Sequence, residues 1–169
     1  MFNPNKILKV LVLITFCGCF ENYLFAQGIY SLRSEGKVSL VGGLGVATGL
    51  HIGGKFNSTD ASSVDFSYGR FPFSQLLQID GSIISVGYNH FKNPESATAG
   101  FLNISLSYVD LSKNTKHNKG VFVSPNLGID IGFDKVNWFL KLGMVGVFSN
   151  SNKFGASLNF DFGFSSQLL

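Results

Sequence analysis

Cysteine is absent from most of this chain, because Cys17 and Cys19 both lie within the first 26 residues. Disulfide bonds therefore cannot stabilise the remaining 143 residues, and a zinc site there would have to be built without thiolates. Charged residues are also scarce, at 14% of the chain, and the lysines and arginines form no cluster. The composition thus excludes the basic footprint of a nucleic-acid-binding protein.

The first 26 residues have the features of a signal peptide. Two lysines precede an apolar run from Val10 to Phe16, and Ala26 provides a small residue at the end of the segment. The apolar run is too short to span a membrane as a helix. We therefore predict a signal peptide over residues 1–26 and one exported domain over residues 27–169.

Cys19 offers a second interpretation of the same segment, in which it is a lipid-attachment cysteine. The protein would then be a lipid-anchored surface or periplasmic domain, and the case for a membrane-spanning domain would weaken. Removal of residues 1–26 takes two lysines and one glutamate, which leaves 11 basic and 9 acidic residues. A net charge of +2 singles out no charged partner.

An alternation of apolar with small or polar residues runs through the chain after residue 37. This period of two is the signature of β-strands with one apolar face. Seven segments show it, each bounded by turn-forming residues: 38–56, 63–71, 82–91, 98–109, 121–133, 138–148 and 154–164. Twenty glycines and eighteen phenylalanines accompany the low charge, and so many alternating large apolar side chains require an apolar environment to cover them.

These strands predict an all-β fold, a single antiparallel up-and-down transmembrane β-barrel of about eight strands. Strands in lipid must pair all their backbone groups, so a closed barrel with an even strand count is expected. We place the missing eighth strand in residues 28–33 or in residues 72–79. A third alternative, less favoured than these two, is a break near Gly49 that divides the first segment into two strands. The apolar set would face lipid, and the small or polar set would face a narrow interior that side chains fill.

Five charged residues fall on the inward face in this phasing, with His51 as a sixth candidate. We predict a luminal polar network of Lys55, Asp65, Asp130, Lys141 and Asp161. Charges in such an interior are tolerable as hydrogen-bonded pairs. The network either fills and rigidifies the lumen or forms a solute or proton path, and the first interpretation is favoured.

Three stretches carry a resemblance to a known family: the signal end Leu24-Phe25-Ala26-Gln27, the glycine-rich Val41-Gly42-Gly43-Leu44-Gly45, and the final strand Leu158–Phe164. Residues 36–164 resemble the OmpA-like and OmpX-like eight-stranded β-barrels of Gram-negative outer membranes. The resemblance implies a small, porin-like cell-envelope protein in the outer membrane. It further implies membrane lipid and the barrel-assembly machinery as partners. No nucleic-acid partner is expected, and the surface partner is left unidentified.

Two other functional classes compete with a structural or surface-interaction role. An exported soluble β-sandwich or lipocalin-like carrier would enclose an apolar ligand with its apolar face. A membrane-embedded lipid-modifying hydrolase would need a Ser–His pair, for which Ser85 with His90 or Ser112 with His117 are the candidates. Nothing in their spacing is specific, so we expect no enzyme. No histidine pair has metal-ligand spacing, so neither a metal nor another cofactor is expected.

Overall fold

The computed structural model describes residues 33–71, 79–113, 116–133, 135–149 and 154–168, and these form eight β-strands. In chain order the strands are β1 Val38–Gly45, β2 Gly49–Thr59, β3 Ser62–Arg70, β4 Ile79–Lys92, β5 Thr98–Lys113, β6 Lys116–Phe133, β7 Val136–Ser149 and β8 Phe154–Gln167. Each strand pairs with the next, and β1 also pairs with β8, so the sheet is a closed antiparallel barrel. The predicted all-β up-and-down barrel is confirmed, while the predicted signal peptide lies outside the described residues.

The alternation in the sequence corresponds to two faces of the barrel wall. On β5, the side chains of Leu102, Ile104 and Leu106 are 55–62% exposed on the outer face. Between them, Asn103, Ser105 and Ser107 point inward and are at most 7% exposed. Successive residues of a strand point to opposite faces, so the sequence period of two produces an apolar exterior and a polar interior. None of the described segments is a helix of sufficient length and apolarity to cross a membrane.

The expected position of the eighth strand was wrong in its first two alternatives. The predicted first segment is two strands, because the chain reverses between β1 and β2 and Gly49 adopts a φ of +65°. Val46 continues the apolar alternation through this turn, so the pattern shows no interruption there. Most of residues 28–33 and 72–79 lie outside the described part, and the barrel closes without them.

A second difference concerns residues 116–120, which the sequence assigns to a polar loop. They extend β6 instead, and the β5–β6 hairpin pairs up to Lys113 opposite Lys116. This part of the hairpin lies beyond the apolar band, where the outer face no longer needs large apolar residues. A strand without alternation is indistinguishable from a loop by period alone.

The strand register fixes the shape of the barrel. A line through directly paired residues starts at Gly42 and passes through Ile52, Tyr68, Ile84, Tyr108, Val121, Phe148 and Phe154. The β8–β1 register returns this line to β1 at a point ten residues along the strand from Gly42. This offset is the shear number of the barrel. With eight strands, this shear tilts each strand by about 40° from the axis. We call the end where β1 begins the terminal end and the opposite one the far end.

Gly49 provides a test of the observed turn. A Cβ atom at this position would overlap the backbone of Arg70, and φ is positive. We expect Gly49→Ala to lower the free energy of unfolding by about 2–4 kcal/mol. Gly36 also has a positive φ, of +77°, but nothing lies within 4 Å of a Cβ built there, so Gly36→Ala should cost about 1 kcal/mol. Urea unfolding followed by the fluorescence of Trp138, the single tryptophan, measures both; equal losses would contradict the tight β1–β2 turn.

Candidate functional site: the charged barrel interior

Ion pairs occupy the middle of the barrel. The Lys55 Nζ lies 3.8 Å from Asp130 Oδ2. The Lys141 Nζ lies between two carboxylates, 3.6 Å from Asp65 Oδ2 and 3.4 Å from Asp161 Oδ2. The structure therefore brings together all five residues of the predicted luminal network, from five different strands. Their side chains are at most 19% exposed, so their charges interact in an environment that water screens little.

Arg33 joins this interior although it precedes the first strand. Its guanidinium is 2% exposed and lies 3.3 Å from Asp130 Oδ2. Within the described residues, the inward-facing charges are then three cations (Arg33, Lys55 and Lys141) and three carboxylates (Asp65, Asp130 and Asp161). The five predicted residues alone would leave one negative charge unbalanced. Arg33 makes the interior neutral, apart from His51, which carries a charge only when protonated.

Four asparagines form a one-directional chain of hydrogen bonds across the interior. Each side-chain amide donates to the next carbonyl oxygen: Asn159 to Asn126 at 2.8 Å, Asn126 to Asn103 at 2.8 Å, and Asn103 to Asn89 at 2.9 Å. At one end, the backbone N–H of Ala47 donates to Asn159 Oδ1; at the other, Asn89 donates to Asp65 Oδ2. The chain thus links the β1–β2 turn to the ion pairs, and such connected networks specify one arrangement of a polar core.

Two inward glycines leave the space that this network needs. A Cβ atom at Gly143, on β7, would lie 2.5 Å from Asn126 Oδ1, so glycine lets Asn159 of β8 reach past β7 to β6. A Cβ atom at Gly87 would overlap the carboxylate of Asp65 and lie 3.2 Å from Asn103 Nδ2. The glycine content that accompanies the inward face is therefore a packing requirement of the narrow bore.

Apolar side chains accompany the polar interior toward both ends. Near the terminal end, a buried cluster contains Val41, Phe91, Ala99, Phe101 and Phe139. The ammonium groups of two lysines lie over rings of this cluster. Lys55 Nζ is 4.9 Å from the ring centre of Phe91, and Lys141 Nζ is 4.8 Å from the ring centre of Phe139. Such cation–π contacts partly replace lost hydration.

Toward the far end, the inner face of β4, β5 and β7 becomes apolar again. Ile83, Val109 and Val145 are each at most 2% exposed, and Ile83 pairs directly with Val109. An apolar layer therefore bounds the polar interior toward the far end, whereas near the terminal end Lys55 and Asp130 lie beside the aromatic cluster.

The structure separates one of the two candidate catalytic pairs and places the other pair side by side. Ser85 points inward, where its Oγ lies 2.7 Å from Ser107 Oγ, whereas His90 is exposed on the outer face of the same strand. This Ser–His pair is therefore not a catalytic dyad. Ser112 and His117 are backbone partners near the tip of the β5–β6 hairpin. In the part of the chain that the structure describes, no group of three histidine, cysteine or acidic side chains is placed to hold a metal ion.

The architecture defines the class: a small, closed, eight-stranded antiparallel β-barrel with an inverted distribution of polarity. The fold is similar to that in the crystal structure of the N-terminal β-barrel domain of OprF from Pseudomonas aeruginosa. The TM-score is 0.58 at 12% sequence identity, over 79% of this chain and 98% of that domain. This similarity supports the predicted resemblance to OmpA-like small barrels at the level of the fold. No protein-family model and no curated protein matches the sequence.

Lys141 allows a test of the interior ion pairs. Lys141→Met leaves Asp65 and Asp161 without their shared cation, and we expect the free energy of unfolding to fall by about 3–5 kcal/mol. Lys119→Met is the matched control, because Lys119 is 51% exposed and lies 3.9 Å from Asp110, so its loss should cost less than about 1 kcal/mol. Urea unfolding in detergent measures both variants, and similar losses would show that Lys141 is not a buried ion-pair partner.

Gly143 allows a separate test of the asparagine chain. We expect Gly143→Ala to crowd the side chain of Asn126 and the backbone oxygen of Pro125, and to lower the free energy of unfolding by about 2–3 kcal/mol. Gly155→Ala changes the neighbouring strand in the same way, but nothing lies within 4 Å of a Cβ built there, so this control should unfold like the parent protein. If the two variants were equally stable, glycine at position 143 would not be needed for the close approach of β6 and β7 on which the asparagine chain depends.

Proposed function

We propose that the protein is a small integral outer-membrane β-barrel with a filled lumen and a structural or surface-interaction role. The observation that carries this proposal is the apolar outer face, which continues around all eight strands. Leu50, Phe66, Leu127 and Leu158, from four different strands, are 55–79% exposed. Exposure of a continuous apolar band to water would be unfavourable for a monomeric protein, whereas contact with lipid carries no such free-energy cost.

The polar limit of this band supports the same proposal. On β3 to β6, one row of paired outer residues is Tyr68, Ile84, Tyr108 and Val121, and the next row toward the far end is Arg70, Ser82, Asp110 and Lys119. The outer face thus changes from apolar and aromatic to polar within one step. Such a boundary is typical of the membrane–water interface of a β-barrel, where tyrosines are enriched.

The filled lumen and the surface role rest on two further features. The balanced charges, the asparagine chain and the apolar side chains occupy the bore, so the barrel is suited to anchor rather than to conduct. The β5–β6 hairpin continues beyond Tyr108 into its polar part, which offers a surface for partners. We propose membrane lipid and the barrel-assembly machinery as the partners that any such barrel needs.

The two competing classes receive no support from the geometry. A carrier of an apolar ligand would hold it in an apolar interior, but the middle of this interior carries six charged side chains. A lipid hydrolase would need a Ser–His pair within hydrogen-bond reach at the lipid surface, but Ser85 and His90 lie on opposite faces of β4. Ser112 and His117 are backbone partners, but they lie near the tip of the β5–β6 hairpin, beyond the apolar band. Neither is proposed.

Mobility on gels tests the proposal. We expect the protein to sediment with membranes, to resist extraction by carbonate, and to migrate faster unboiled than boiled, because a closed barrel keeps its shape in detergent. Ile104→Arg, which places a charge in the apolar band where Ile104 is 62% exposed, should reduce insertion into lipid vesicles, at a cost of about 2–4 kcal/mol. Lys119→Arg, beyond the band, is the control. Recovery in the soluble fraction with no mobility shift would overturn the proposal.

A further inference from the structure

The residues before β1 close the terminal end of the barrel. We propose that Arg33–Lys37 form a strap that docks onto the finished barrel as a separate, reversible step, with Arg33 as its latch. The strap gives the lumen a single closable opening. This inference rests on the barrel fold and is independent of where the barrel resides.

The latch is the guanidinium of Arg33, which reaches two elements on the other side of the bore. Its Nη1 donates to the backbone oxygens of Pro94, at 2.9 Å, and Ser96, at 2.5 Å, both in the β4–β5 turn. Its Nε and Nη2 donate to the carboxylate and the backbone oxygen of Asp130, on β6, at 3.3 and 3.2 Å. The guanidinium carbon also lies 5.6 Å from the ring centre of Phe91. Only arginine has enough donors in this fork geometry to make all these contacts.

The other end of the strap is held at the β2–β3 side of the barrel. The backbone N–H of Gly36 donates to Asn57 O at 2.9 Å, and Asn57 Nδ2 donates to Ser34 O at 3.3 Å. The backbone N–H of Glu35 donates to Asp60 Oδ1 at 2.8 Å. The strap therefore runs from the β2–β3 turn across the bore to the β4–β5 turn and β6.

The barrel can close without the strap, whereas the strap can dock only onto the closed barrel. The eight strands pair all around the barrel, and the β1–β8 seam begins at Ser39, so closure does not involve the strap. The partners of Arg33 lie in the β4–β5 turn and on the adjacent β6, across the bore from β1, so Arg33 reaches them only after the sheet has curled into a ring. A segment held by a few hydrogen bonds at the end of a stable body opens at lower free energy than the body itself.

Undocking changes the interior in a defined way. Without Arg33, Asp130 keeps Lys55 and the Asn137 amide as partners, but the interior has one uncompensated negative charge. Solvent then reaches Asp130 from the terminal end, while Ile83, Val109 and Val145 keep the far end shut. The open form is a chamber with one mouth, which exchanges water and protons with one side and conducts nothing through.

Trypsin tests the latch directly, because it cleaves after arginine only when the guanidinium is free to enter the protease. The substrate is the protein extracted from membranes in detergent, digested folded or after boiling. Mass spectrometry detects peptides that end at Arg33, and the unboiled gel mobility reports whether the barrel is intact. We expect the folded protein to be cut after Arg33 far more slowly than the boiled one.

Two variants weaken the latch without removing the cleavage site. Asp130→Asn removes the charge that holds the guanidinium. Arg33→Lys keeps a charge that trypsin recognises but cannot span both partners. We expect each to raise the rate of cleavage after residue 33 at least about tenfold while the barrel mobility persists, since hydrogen bonds to a charged group are lost. Asp110→Asn, at the exposed pair with Lys119, is the control and should leave the rate unchanged.

The strap would be disproved by either of two results. In the first, the folded parent protein is cut after Arg33 as fast as the boiled protein. In the second, a folded Arg33→Lys variant is cut no faster than the parent, which would mean that the latch contacts do not hold the segment. Arg33→Lys decides the question even if Asp130→Asn fails to fold, and both results are independent of the location of the barrel.

Discussion

The seam between β1 and β8 is the contact on which the rest of the structure depends. Seven residue pairs, from Ser39 opposite Gln167 to Gly45 opposite Asp161, turn an eight-stranded sheet into a ring. With the ring closed, backbone groups are paired within the wall, and the outer face is free to be apolar. The same closure leaves a bore so narrow that side chains must fill it, with glycine wherever a larger neighbour needs room.

Closure also imposes the chemistry of the interior. Charged side chains confined to this bore are costly unless they are paired, and the three cations and three carboxylates meet that condition as a set. The asparagine chain connects the set to the β1–β2 turn, and an apolar layer lies toward the far end.

Much of this arrangement was predictable from the alternation of residues. Each of the six strands β3 to β8 overlaps one predicted segment, β1 and β2 share another, and the inward positions of Lys55 and Lys141 follow from parity alone. The β1–β2 turn was missed because Val46 continues the apolar pattern through it. Arg33 was missed because it precedes the alternation, and only the missing positive charge among the predicted luminal residues pointed to a sixth member. Parity also cannot show which luminal side chains bond, since that depends on the shear.

The most direct measurement of the inverted polarity is a spin-label scan along β5, from Leu102 to Tyr108. Residues 27–169 contain no cysteine, so single cysteines introduced into a chain that begins at residue 27 can be labelled without background. In lipid vesicles, we predict that collision with dissolved oxygen alternates, high at positions 102, 104, 106 and 108 and low at 103, 105 and 107. A water-soluble relaxation agent should reach neither position 104 nor position 106. Strong access of that agent to positions 104 and 106 would contradict a lipid-facing exterior.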